Sequence, residues 1–93
     1  MEFPLPSADK THHVFDGSPI YEARFLEVRE FRFPGLAAVR DETGAYHIDF
    51  FGRPLYAERY ESVGDFADST AWVKTADGFF YIGYGGDYNL QYT

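Results

Sequence analysis

The chain has 93 residues, room for one folded domain and no second, near the lower limit at which one apolar core sustains itself. It contains no cysteine, which excludes a disulfide framework, a thiolate metal site and a cysteine nucleophile. With 15 acidic against 8 basic side chains the net charge is -7, a balance that disfavours phosphate backbones and anionic lipid as partners. Aromatic residues make up 20% of the chain, and they favour strands while burying large areas per residue, so a short sequence gains core volume.

In chain order, Met1 to Lys10 reads as an N-terminal extension (1–10). It carries Pro4, Pro6 and an early Glu2, and lacks the basic start and apolar run of a secretory signal. No apolar run anywhere approaches the roughly 20 residues that span a bilayer, so the expectation is an unanchored cytoplasmic protein with no membrane partner. Residues 11–93 read as a single β domain with internal self-similarity. His13 to Phe25, HVFDGSPIYEARF, aligns with His47 to Tyr60, HIDFFGRPLYAERY, once one residue is inserted before the glycine. Val28 and Phe31 then meet Val63 and Phe66, and Ala37 to Arg40 meets Ala71 to Lys74, a period of 34–35 residues. A third copy starts at Phe80-Tyr81-Ile82 and fades after Gly86.

Glycine-bearing turns divide the central unit into a strand Leu36–Arg40, a turn Asp41–Gly44, a strand Ala45–Asp49, a turn Phe50–Arg53 and a third strand opening at Pro54–Tyr56. Phe25, Val28 and Phe31 fall at helical spacing within Glu22–Phe33, but their counterparts Tyr60, Val63 and Phe66 enclose Gly64. That stretch is therefore expected to be extended, with room for one helical turn near Glu30. Gly83 to Asp87 lacks the sequel of a phosphate-binding loop and aligns with the turn at Phe50–Arg53, so it reads as a hairpin turn. Short turns connect antiparallel neighbours, and the expected fold is an all-β antiparallel meander of about two and a half repeats.

The stretch GLAAVRDETGAYHIDFFGRPLYAERYESVGDF, from Gly35 to Phe66, resembles units of the bacterial WG-repeat family. The resemblance covers Thr11 to Gly86. The tryptophan-glycine pair that names the family is replaced by Ala45-Tyr46 in one copy and Phe79-Phe80 in another. Divergent units with histidine-isoleucine in the strand are similar to those beside methyltransferase domains in longer bacterial proteins. The resemblance implies a β repeat that serves recognition.

The candidate chemistry is sparse. His12 and His13 are adjacent on a strand and face opposite ways, and His13 and His47 share one repeat position, which favours packing over a metal site. The acid pairs Asp41-Glu42 and Asp65-Asp68 lie in turns. No serine sits in a nucleophile elbow, and Arg24 and Arg59 recur beside Glu22 and Glu58 as structural ion pairs or stacks on tyrosine. No catalytic residue, metal or cofactor is expected. Adjacent aromatics on a strand cannot both enter one core, which makes Phe50, Phe51, Trp72, Phe79 and Phe80 the candidate protein-binding residues. The expected function is non-enzymatic protein or peptide binding through aromatics and acidic turns, with another protein or a second copy as partner and no direct nucleic-acid contact. The rival readings are a recognition domain detached from a larger enzyme, such as a methyltransferase, and a small acidic inhibitor.

Overall fold

A computed structural model describes residues 2–86. The chain is all-β, with no helix among the described residues and nine short strands. These are β1 (Leu5–Pro6), β2 (His13–Phe15), β3 (Ser18–Pro19), β4 (Glu27–Val28), β5 (Ala37–Asp41), β6 (Gly44–Ile48), β7 (Ser62–Val63), β8 (Ala71–Thr75) and β9 (Gly78–Ile82). They form three antiparallel three-stranded sheets in the orders β1-β2-β3, β4-β5-β6 and β7-β8-β9. Consecutive strands pair throughout each sheet, as short turns require.

The second and third sheets share one register. Ala37 pairs with Ile48 and Asp41 with Gly44, as Ala71 pairs with Ile82 and Thr75 with Gly78. The first turn is held by Asp41, whose carboxylate accepts the Thr43 amide at 2.8 Å and the Thr43 hydroxyl. Gly44 (φ 131°) and Gly78 (φ 125°) supply the backbone conformation that side chains disfavour at the turn exit.

Three expectations are revised. In the second and third sheets the third strand comes from the segment preceding the hairpin, Glu27–Val28 or Ser62–Val63, and not from Pro54–Tyr56, whereas in the first sheet β3, the counterpart of Arg53–Pro54, takes that place. The Pro54 segment meets β6 at a single bridge to Ile48, flanked by the Asp49 amide donating to the Arg53 carbonyl at 3.1 Å and the Leu55 amide donating to the His47 carbonyl at 2.9 Å. No helical turn forms at Glu30, because the backbone there is drawn onto β5, with the Arg29 amide donating to the Ala38 carbonyl at 2.9 Å. Within the stretch read as an extension, Leu5 and Pro6 pair with Val14 and His13 as Ala37 and Ala38 pair with Ile48 and His47. Gly83–Gly86 closes a turn through Gly86 N–H to Gly83 C=O at 3.0 Å, the counterpart of Gly52 to Asp49 at 3.1 Å. Asp87, the last residue assigned to that turn, lies outside the described residues, as does the rest of 87–93.

The sheets are joined by connecting segments that pair on both sides. The amide of Phe25 donates to the Thr11 carbonyl of the preceding hairpin at 2.8 Å, and that of Leu26 to Arg40 of the following one at 2.8 Å. The second connection repeats this with Tyr60 to Ala45 at 3.0 Å and Glu61 to Lys74 at 3.0 Å. The connections also carry the core. Tyr21, Phe25, Val28 and Phe31, and in the next unit Tyr56, Tyr60, Val63 and Phe66, are buried against Val39, Ile48, Val73 and Ile82.

Candidate functional site

Two buried histidines sit at the joints between units. His13 and His47 are buried, each flanked by a tyrosine and a phenylalanine on the connection that follows. His13 Nε2 lies 2.6 Å from the Arg29 carbonyl and His47 Nε2 lies 2.7 Å from the Gly64 carbonyl. A carbonyl only accepts, so Nε2 carries the proton in both rings and a neutral ring must accept through Nδ1. The Tyr21 and Tyr56 hydroxyls fill that role, donating to Nδ1 at 2.6 Å in each unit. Burial, the largest effect, pushes the His47 pKa down to about 4, and it lowers that of His13. The same burial raises Tyr21 and Tyr56 above the ordinary phenol value. Both nitrogens of each histidine are thus committed, and no lone pair is left for a metal ion. His12 faces away and hydrogen-bonds Thr11 at 2.9 Å.

The two matched arginines serve the same joints. Arg24 Nη1 donates to the carbonyls of Tyr21, Glu22 and Ala23, and Arg59 Nη1 to those of Tyr56, Ala57 and Glu58. Arg59 also lies over the Tyr46 ring, 3.7 Å from its centroid, and donates from Nε to the Thr43 hydroxyl at 3.0 Å. Neither arginine makes an ion pair with Glu22 or Glu58 among the described residues. The expected acid pairs are spent on turns and bridges: Asp41 caps Thr43 and accepts from Tyr46, and Asp65 meets Arg32 at 3.2 Å. Asp49 accepts from the amides of Phe51 and Arg53 and pairs with the Arg53 side chain at 3.1 Å.

The candidate aromatics divide between two places. Phe50 is half-buried, stacked between Phe3 at 5.9 Å and Phe31 at 4.7 Å, while its neighbour Phe51 is 71% exposed. Together with Pro4, Phe15 and Ile20 they line an open apolar groove of about 390 Å³. The others are on the third sheet. Alternation along β9 sends Phe80 and Ile82 inward and leaves Phe79 and Tyr81 outward, 67% and 58% exposed. Trp72 pairs with Tyr81 across the ladder, is half-buried, and meets Phe79 edge-on at 5.8 Å.

No family model, curated protein or solved structure matches this chain. The surfaces are therefore read from their own chemistry. Sequence reasoning missed Tyr81, although the strict alternation of Phe79-Phe80-Tyr81-Ile82 carries the signal. It also missed Phe3, Phe15 and Ile20, which are distant in sequence from Phe50 and meet it only through the fold. Among the described residues no helix is long and apolar enough to cross a membrane, and no group of three or more histidine, aspartate or glutamate side chains could hold a metal ion.

Proposed function

We propose that this chain is a non-enzymatic protein-interaction module, a divergent relative of WG-repeat units with about two and a half copies, working in the cytoplasm. The observation that carries the reading is the contrast between its polar and aromatic side chains. The buried histidines and tyrosines satisfy one another, whereas Phe51, Phe79 and Tyr81 stand more than half exposed on a chain this small. Exposed aromatic rings lose little entropy when they dock and are typical anchors of protein interfaces. The two like joints, each with its histidine, tyrosine, arginine and phenylalanine, support the repeat reading. The net charge of -7 favours a protein partner over nucleic acid.

The test is quantitative capture of partners on immobilised chain, comparing wild type with Phe51→Ser and with the double variant Phe79→Ser/Tyr81→Ser. A partner lost at least tenfold by either variant, at an unchanged melting temperature, supports the module. Retention of every captured protein by both variants refutes it. Light scattering against the 10.7 kDa monomer mass, run in parallel, shows whether that partner is a second copy.

A further inference from the structure

The aromatic face of the third sheet has an internal precedent that says what it binds. On the second sheet the same positions are occupied: Ala45 exchanges both backbone hydrogen bonds with Tyr60, at 2.7 and 3.0 Å, in an antiparallel bridge along the free edge of β6. Around that bridge Arg59 reaches Thr43 and the Tyr46 ring, and His47 meets the Gly64 carbonyl and the Phe66 ring. The first hairpin is covered in the same manner, by Phe25 on Thr11 and by Phe31 on His13. In register, Ala45 corresponds to Phe79, Thr43 to Asp77 and His47 to Tyr81.

Among the described residues the third hairpin presents this site open. A Cβ placed on Gly44 would lie 2.8 Å from the Tyr60 carbonyl and 3.1 Å from the Arg59 Cβ, whereas a Cβ on its counterpart Gly78 meets nothing within 4 Å. Both glycines have nearly the same φ, so the difference is the covering strand and not the turn. Among the described residues nothing bridges to Phe79 as Tyr60 does to Ala45. The two covering segments share a pattern. Arg24-Phe25-Leu26-Glu27-Val28-Arg29-Glu30-Phe31 and Arg59-Tyr60-Glu61-Ser62-Val63-Gly64-Asp65-Phe66 both read arginine, aromatic, two variable residues, valine, one variable residue, acid, phenylalanine. Residues 87–93 contain neither an arginine nor a valine and do not carry it.

We infer that the edge of β9 at Phe79, with the Trp72 and Tyr81 rings beside it, takes one extended polypeptide strand of this pattern from outside residues 1–93. The inference rests on the module reading and names its partner. The incoming strand runs antiparallel to β9 and exchanges two backbone bonds with Phe79. Its arginine meets the exposed Asp77 carboxylate where Arg59 meets only a hydroxyl, a stronger charge-assisted contact. Tyr81 takes the register position of His47, and its hydroxyl donates to a carbonyl of the strand. Its phenylalanine packs on the Tyr81 ring as Phe66 packs on His47.

The test is titration of a blocked peptide with the sequence Tyr56–Phe66 into the whole chain, followed by the emission of Trp72, the single tryptophan. A saturable change at or below about 1 mM is expected, the weak end of specific binding. It should weaken at least tenfold when Phe79→Pro removes the edge donor, and several-fold in Asp77→Lys, an exposed change that keeps the test valid should the proline disturb folding. A peptide with Tyr60→Ala should bind at least tenfold more weakly. No saturable binding by the folded chain, or binding indifferent to both chain variants, overturns the inference. A concentration-dependent dimer that Asp77→Lys weakens and the peptide does not displace also overturns it, because a second copy is then the occupant. If the peptide fails while partner capture still depends on Phe79 and Tyr81, the strand partner falls and the module reading stands.

Discussion

Acidification probes the histidine joints directly. In the unfolded chain His47 titrates near 6.5, while in the native state burial holds it at about 4. Between those values the unfolded state binds the extra proton, so stability rises with pH through the window and is lost as pH falls from 6.5 towards 4. At pH 5 the gap is roughly 1.5 pKa units, which at about 1.4 kcal/mol per unit is about 2 kcal/mol from His47 alone. His13 is lowered by the same cause and adds to the loss with the same sign. Asp65 offsets part of the His47 shift and Arg29 reinforces it, but burial outweighs both. The general charge effect runs the other way, because acid reduces a net charge of -7 and with it the self-repulsion of the folded chain. Urea unfolding at several pH values from 7.5 to 5 decides between them. A midpoint that falls with acid, and falls less steeply in His47→Gln, is expected. A midpoint that stays level or rises down to pH 5 refutes the assignment of neutral, doubly bonded histidines.

Tyr56→Phe removes the donor to His47 Nδ1 and leaves a buried acceptor unmade, so it should cost about 1–3 kcal/mol in urea unfolding, and Tyr21→Phe a similar amount at the first joint. Arg59→Lys loses the flat stack on Tyr46, the bond to Thr43 and the fork onto three carbonyls, whereas Arg24→Lys loses only the carbonyl fork. The Arg59 variant should therefore be the less stable of the two by about 1 kcal/mol, measured as a difference of unfolding free energies. A Cβ at Gly64 would overlap the Trp72 indole, so Gly64→Ala should push that ring outward, red-shift its emission and destabilise the third sheet.

The period was legible because each matched residue performs one fixed task at a joint. Histidine, tyrosine, arginine, valine and phenylalanine recur in order since the hydrogen bonds and ring contacts they make are geometrically the same in both copies. β1 was not legible. Counted from the matched pairs its hairpin is two residues shorter than that of β5 and β6, since Pro6 pairs with His13 but Ala38 with His47. It also lacks the glycine signal, because Lys10 takes the positive φ of 63° before β2. The third strand was only partly legible: the Pro54 segment does lie on β6, with the Leu55 amide donating to the His47 carbonyl, but over one bridge, while β4 and β7 are two residues each within a stretch read only as extended. The exposed face of β9 was half legible: Trp72 and Phe79 were singled out as aromatic, but that Phe80 turns inward follows only from the register with β8.

The residue at the histidine position marks which sheet faces are covered. At His13 and His47 a connection lies across the ring, and imidazole suits that enclosure because one nitrogen donates while the other accepts, so neither polar end is stranded. A tyrosine there would carry one polar atom at its tip for partners that meet two different ring nitrogens of the histidine, in a larger side chain. At Tyr81 no such enclosure exists among the described residues, and a ring with a polar tip is tolerated in water and ready for a single carbonyl. His47→Tyr should therefore loosen the second joint, leaving the Tyr56 hydroxyl or the Gly64 carbonyl unmatched, while Tyr81→His should leave stability within about 0.5 kcal/mol. Equal costs for the two exchanges, measured by urea unfolding, would mean that the third sheet is as enclosed as the second, and that β9 offers no open edge.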